Sequence, residues 1–146
     1  MFAKRILVPT DFSECSRTAI QVAVALANSD PEAMLTVLHV VEPSVPSYDE
    51  DLGVLEPEAL QTELEALSAS RDHSVRIEAE ICYGEPSAEI LRYAGEHAID
   101  LIVMGMHGKS GLLDFLVGDT AEKVLRKASC PVLTVRDDAV VPAANE

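Results

Sequence analysis

Basic residues are scarce: 11 lysines and arginines stand against 25 aspartates and glutamates, a formal net charge of −14. A protein that holds nucleic acid without regard to sequence needs a basic surface to release counterions, so that class is excluded and anionic membranes are disfavoured as partners. The acidity is spread along the chain, which describes a strongly hydrated surface rather than an acidic tail. Long apolar runs are missing, and none approaches the roughly 18 residues of a membrane span. Met1 to Val8 carries Lys4 and Arg5 before only Ile6, Leu7 and Val8, then Pro9 and Asp11, far short of the apolar stretch of a secretory leader. Cysteine occurs at Cys15, Cys82 and Cys130, an odd number without Cys-x-x-Cys spacing. Reduced structural thiols and a cytoplasmic compartment are therefore expected. No second histidine or cysteine stands at metal-ligand spacing from His39, so that residue reads as a core or edge histidine and no metal site is expected. Also absent are paired-carboxylate spacing, a Gly-x-Ser-x-Gly elbow, a Cys/His nucleophile pattern and a kinase signature, so the chain is not expected to be an enzyme.

What is present is a regular alternation. Arg5 to Val8, Met34 to Val41 and Leu101 to Met104 are apolar on successive residues, as strands buried on both faces are. Val75 to Cys82 instead alternates Val75, Ile77, Ala79 and Ile81 with Arg76, Glu78 and Glu80, which places it near an edge. Pro131 to Val135 is the last strand. Helical spacing runs over 13–27 (Ala19, Val22, Ala23, Leu26), 57–70 (Leu60, Leu64, Leu67) and 86–98, with Pro86 suited to a first helical position. Gly118 opens a fourth helix. The order β-α-β-α-β-α-β-α-β implies an α/β fold: a single domain with an open five-stranded parallel sheet and helices on both faces, Rossmann-like in kind. At 146 residues one domain buries a sizeable core. We assign it residues 1–137, followed by a short polar tail, 138–146.

In this class, ligands bind outside the carboxyl ends of the strands, where neighbouring crossovers diverge. Pro9 to Asp11, the end of the second strand and the segment 105–118 converge there, and the turn-rich, acidic segment 42–54 is long enough to act as a lid. Gly105, Gly108 and Gly111 follow a strand directly and, with Gly118 at a helix start, are open to two readings. They make tight turns, or they let backbone N–H groups face an anion. They match neither the dinucleotide fingerprint nor the phosphate loop. Asp11 likewise either shapes the turn before a helix or accepts hydrogen bonds from a ribose.

The spacing Gly105-x2-Gly108-x9-Gly118, the segment Gly108-Lys109-Ser110-Gly111-Leu112, the helix Ala121-Glu122-Lys123-Val124-Leu125 and the ending Cys130-Pro131-Val132-Leu133 resemble the universal stress protein family. The opening Ile6-Leu7-Val8-Pro9-Thr10-Asp11-Phe12-Ser13, the strand ending His39-Val40 and Gly84-Glu85-Pro86 extend that resemblance over the whole chain. It implies an adenine nucleotide alpha hydrolase-like fold and a homodimeric stress regulator that holds ATP or another adenine nucleotide. By the same resemblance Pro9, Thr10, Asp11 and the backbone near Val40 face adenine and ribose. Met104, Gly105, Met106, His107, Gly108, Gly118, Asp119 and Thr120 lie at the phosphates, where Lys109 either adds charge or is a solvated loop lysine. The family's last strand commonly pairs with its twin, here Val132 to Val135.

One departure bears on this. Nucleotide-binding members carry Ser or Thr directly after the third glycine, where this chain has Asp119. As an N-cap in a capping box with Glu122, Asp119 would occupy the N–H groups a phosphate uses. Its charge also repels a triphosphate, unless Mg²⁺ bridges the two. The alternative reading is therefore a family member without nucleotide that works through protein partners, with Asp119 blocking the phosphate site. A slow nucleotide hydrolase is the third, and the sequence offers it no identified general base.

Overall fold

In the computed structural model, the structure describes residues 3–43, 58–66, 75–107 and 118–139. Its elements are β1 (Arg5–Pro9), α1 (Glu14–Ala27), β2 (Met34–Val41), α2 (helical over 58–66), β3 (Arg76–Tyr83), α3 (Pro86–Glu96), β4 (Leu101–Gly105), α4 (Asp119–Lys127) and β5 (Val132–Val135). All strand pairs are parallel, in the order β3-β2-β1-β4-β5. The expected five-stranded sheet with helices on both faces is what forms.

The apolar runs explain the layering. Side chains alternate across a strand, so a run such as Ile6-Leu7-Val8 serves two cores. Ile6 and Val8 join Leu35, Val37, Leu101 and Val103 beneath Ala19, Ala23 and Ala27 of α1 and Leu60 of α2. Leu7 turns the other way and joins Leu38, Ile102 and Met104 against Ile90 of α3 and Ala121 and Val124 of α4. The alanines at every fourth position give α1 a flat face that lies close on the sheet. β3, with its alternating pattern, stands at one edge, and β5 at the other.

The chain winds β1 to β2 to β3 in one direction, with α1 and α2 on one face. It then crosses to β4 on the far side of β1, with α3 and α4 on the opposite face. The crossovers therefore diverge between β1 and β4, and their carboxyl ends bound the crevice.

α3 shows how firmly a helix start is specified. Gly84 adopts φ +151, a conformation that side-chain-bearing residues rarely adopt, and Pro86 sits at the helix start as expected. Glu85 is the N-cap: its Oε2 accepts from Ala88 N at 2.8 Å and from Ser87 Oγ at 2.6 Å. The Ser87 hydroxyl, then the Ala88 amide, hold the Glu85 carboxyl below its ordinary value of 4.5. A lowered folded pKa contributes stability that is present above the unfolded value and is lost as pH falls through the folded one. Glu85→Ala should therefore cost about 0.5–2 kcal/mol at pH 7, read as a lower thermal midpoint, and the difference from the native chain should shrink at pH 3.

Candidate functional site

The turn after β1 is built around Thr10. Its amide donates to Leu38 O at 2.8 Å, continuing the β1–β2 ladder by one residue. Its hydroxyl accepts from Phe12 N at 3.1 Å and lies 3.0 Å from Ser16 Oγ. Its carbonyl is 2.8 Å from His39 Nδ1; a carbonyl only accepts, so the Nδ1 proton points at it. His39 is thus a buried core histidine engaged in structure, as its surroundings in sequence suggested. Phe12 takes φ +66, a rare conformation for a residue with a Cβ, and its ring lies 4.5 Å from the His39 ring. This bend turns the chain back so that Asp11 sits half-buried at the rim, its Oδ1 accepting from Ser13 N at 3.0 Å. Ser13 then caps α1 through Ser16 N at 3.2 Å. Both open jobs of Asp11 converge on this position: it shapes the turn with one oxygen, beyond the end of a central strand.

The other bank of the crevice is the end of β4. A Cβ on Gly105 would stand 2.9 Å from Cys15 Sγ and 3.0 Å from the Cys15 backbone carbon. Real Cβ atoms do not approach so closely, so glycine is required here by the nearness of α1. That is a packing reason, distinct from the anion-facing one the glycine spacing suggested. The Cys15 thiol donates to Val135 O at 3.0 Å, and Met106 N donates to the same oxygen at 2.9 Å, which joins the ends of β4 and β5 to α1. The Gly118 amide, at the start of α4, donates to Met106 O at 2.6 Å. A Cβ on Gly118 would lie 3.1 Å from His107 Cα. The structure thus brings Pro9, Thr10 and Asp11 to one side of the β1–β4 divide and Met104, Gly105, Met106, His107 and Gly118 to the other. Val40 lies one strand beyond β1, half-buried on β2. Gly108, Lys109 and Gly111, and residues 44–54 of the expected lid, lie outside the described residues.

Asp119 requires a correction. The N-cap of α4 is Gly118, in extended conformation, and no side chain makes a cap hydrogen bond. Asp119 is the first helical residue and its side chain is 81% exposed, paired with Lys123 Nζ at 3.1 Å. Glu122 pairs with Arg126 at 2.7 Å instead of reaching back, so the expected capping box does not form. The cause is register: Gly118 must touch Met106 and His107, so the extended cap conformation falls on the glycine. Asp119 and Thr120 do start α4 beside the crevice, but the Asp119 carboxylate takes none of the first-turn N–H groups.

Two residues had no mark in the sequence. Phe12's left-handed conformation has no propensity signal, because φ > 0 favours Gly, Asn or Asp. Glu63 of α2, whose Oε2 accepts from the Thr10 hydroxyl at 3.3 Å, lies 53 positions away and belongs to an ordinary acidic helix in sequence.

The sharp β1–α1 turn and the ends of the β4–α4 connection, at Gly105 and Gly118, flank the switch point of an open parallel sheet, where α/β proteins of this kind bind their ligands. The sequence profile of the universal stress protein family matches residues 3–136, and the chain belongs to that family. YxiE of Bacillus subtilis is 35% identical over 150 residues, covering 93% of this chain and all of YxiE. The structure of MJ0577, from Methanocaldococcus jannaschii, superposes with a TM-score of 0.78 at 30% identity, over 96% of this chain and 100% of that one. Two universal stress proteins solved in complex with cAMP and, from Archaeoglobus fulgidus, with dAMP share the fold at TM-scores of 0.70 and 0.69. They are 24% and 22% identical, cover 92% of this chain each, and are themselves covered over 98% and 99%.

Substituting Gly105 tests the packing account. Gly105→Ala should destabilise by about 1–3 kcal/mol in urea unfolding, because Cys15 backbone as well as its thiol must move. Gly118→Ala, whose nearest contacts are 3.1 to 3.5 Å, should cost less.

Proposed function

We propose that this universal stress protein is a homodimeric, cytoplasmic regulator that holds an adenine nucleotide in the β1–β4 crevice. The observation that carries the reading is the convergence at one switch point of the Asp11 turn and the Gly105–Gly118 connection. The relatives in complex with cAMP and dAMP support it through the shared fold. In this reading Pro9, Thr10, Asp11 and Val40 form the adenine and ribose end, with Asp11 accepting from ribose hydroxyls. Thr10 acts there through backbone and shape, since its hydroxyl is engaged within the protein. Met104 to His107 with Gly108, Lys109, Gly118, Asp119 and Thr120 form the phosphate end. Binding rather than turnover is the role proposed.

Asp119 shapes the choice of nucleotide. Its carboxylate is exposed at the start of α4, so it leaves the helix amides to a phosphate and acts through charge. Repulsion is felt most by a triphosphate, which favours AMP and ADP over ATP in the absence of a divalent ion; Mg²⁺ bridging Asp119 and phosphate offsets it. Calorimetric titration of nucleotide-stripped protein with AMP, ADP and ATP, with and without Mg²⁺, tests this. AMP should bind, and Asp119→Ser should gain about 1 kcal/mol, roughly fivefold, for ATP without Mg²⁺. Binding by Asp119→Ser alone would select the second reading, a member that works through protein partners with its phosphate site closed by Asp119. No binding by either chain would overturn the nucleotide reading.

The dimer rests on β5. It is an edge strand with no further strand beside it among the described residues, and Leu133 on it is 39% exposed, which supports pairing with a second copy through Val132 to Val135. Leu133→Asp should yield a monomer by light scattering, and an unchanged dimer would place the interface elsewhere.

A further inference from the structure

Glu63 is a largely buried carboxylate beside the β1–α1 turn that the reading above leaves unused. It lies on α2, its side chain 13% exposed, beside Leu64, which packs on the core. The Thr10 hydroxyl donates to its Oε2 at 3.3 Å, and Arg17 Nε of α1 stands 3.9 Å from its Oε1. Asp11 and His39 also act on it through charge. Burial pushes its carboxyl above the ordinary range, against the pull of Thr10 and Arg17.

Hydroxyl protons can be counted here, since each hydroxyl has one. Thr10 Oγ1 lies 3.0 Å from Ser16 Oγ, which lies 2.9 Å from Ser13 O. With Glu63 ionised, Ser16 donates to Thr10 and Thr10 to Glu63. With Glu63 protonated the direction reverses, from Glu63 through Thr10 and Ser16 to the Ser13 carbonyl. In both states the Thr10 oxygen keeps a lone pair for Phe12 N, the bond that helps hold Phe12 at φ +66. A rare backbone conformation persists only where its surroundings over-determine it. The apolar contacts of α2, Leu60 and Leu64, resist separation from the sheet but have no direction, so the position of α2 along the turn depends on a polar contact.

We propose that Glu63 is a positioning residue of the crevice, which through the Thr10 hydroxyl ties α2 to the β1–α1 turn and thereby sets where Asp11 stands. Its effect on affinity rests on the adenine-nucleotide reading; the tie itself does not. The experiment compares the native chain with Glu63→Ala and Glu63→Gln, whose amide oxygen still accepts from Thr10. Amide hydrogen exchange at Phe12 and Ser13, measured without nucleotide, should quicken about tenfold in Glu63→Ala and return to near the native rate in Glu63→Gln. AMP affinity should fall about fivefold in Glu63→Ala and recover in Glu63→Gln. Where Glu63→Ala does not fold, Glu63→Met, which fills the space without accepting from Thr10, replaces it in both readouts; Thr10→Val would also remove the acceptor of Phe12 N and so does not isolate the tie. Native exchange rates in Glu63→Ala would overturn the tie. Faster exchange with unchanged AMP affinity would overturn the positioning role, and equal losses in Glu63→Gln and Glu63→Ala would assign the effect to the Arg17 pairing instead. Should the native chain itself not bind AMP, the nucleotide reading fails and the exchange rates still decide the tie.

Discussion

The pairing of β1 with β4 is the constraint on which the rest depends. It joins strands separated by most of the chain, with Ile6 opposite Leu101 and Leu7 opposite Ile102, and it brings together the two halves of the winding. Because α1 must lie over both strands, it presses its first turn against the end of β4, and only glycine at 105 leaves room. The Cys15 thiol and the Met106 amide then share the Val135 carbonyl, so β5 is held by the same close approach. These demands set the switch-point crevice between the ends of β1 and β4. Its existence follows from chain topology; its chemistry follows from the side chains that the two turns hold at the rim.

Those turns divide their polar groups between shape and surface. Thr10 and Ser16 are buried and spend their hydroxyls inside the protein. Asp11 and Asp119 stand further out, the first half-buried and the second largely in solvent. Neighbouring positions in sequence thus do different work: Thr10 makes the turn rigid, and Asp11 is what the rigid turn displays. The same separation runs through α4, where Gly118 supplies contact and Asp119 supplies charge. The anchoring residue comes first and the displayed one follows it.

Much of this was legible in residue order. The Met34–Val41 strand appears with its expected ends, because its apolar run is bounded by turn formers. The β3 edge position followed from its alternation, since a strand with one wet face has no place in the middle of a helix-covered sheet. The start of α3 followed from Pro86. What sequence could not show was contact at a distance. Asp119 looks like an N-cap when read locally; that Gly118 takes the cap is decided by its contact with Met106 and His107, more than ten positions earlier in the chain. Gly105 looks like part of an anion loop, and its neighbour Cys15 is visible only once α1 lies on β4. Glu63 is one acid among 25, marked out by where α2 is seated. Periodicity records which face of an element is buried, and it carries no record of which residue on another element will meet that face.

The 2.6 Å bond between Gly118 N and Met106 O has an evolutionary reading. It clasps the two ends of the β4–α4 connection to the sheet, so the framework does not rely on the content of the connection to stay closed. Closure entropy grows slowly with length, about 0.6 kcal/mol for each doubling. A bond at the two ends therefore leaves the stability of the scaffold only weakly dependent on the length of the chain it closes. Change in that segment then costs little in folding terms, which is the evolutionary consequence of closing it from the sheet.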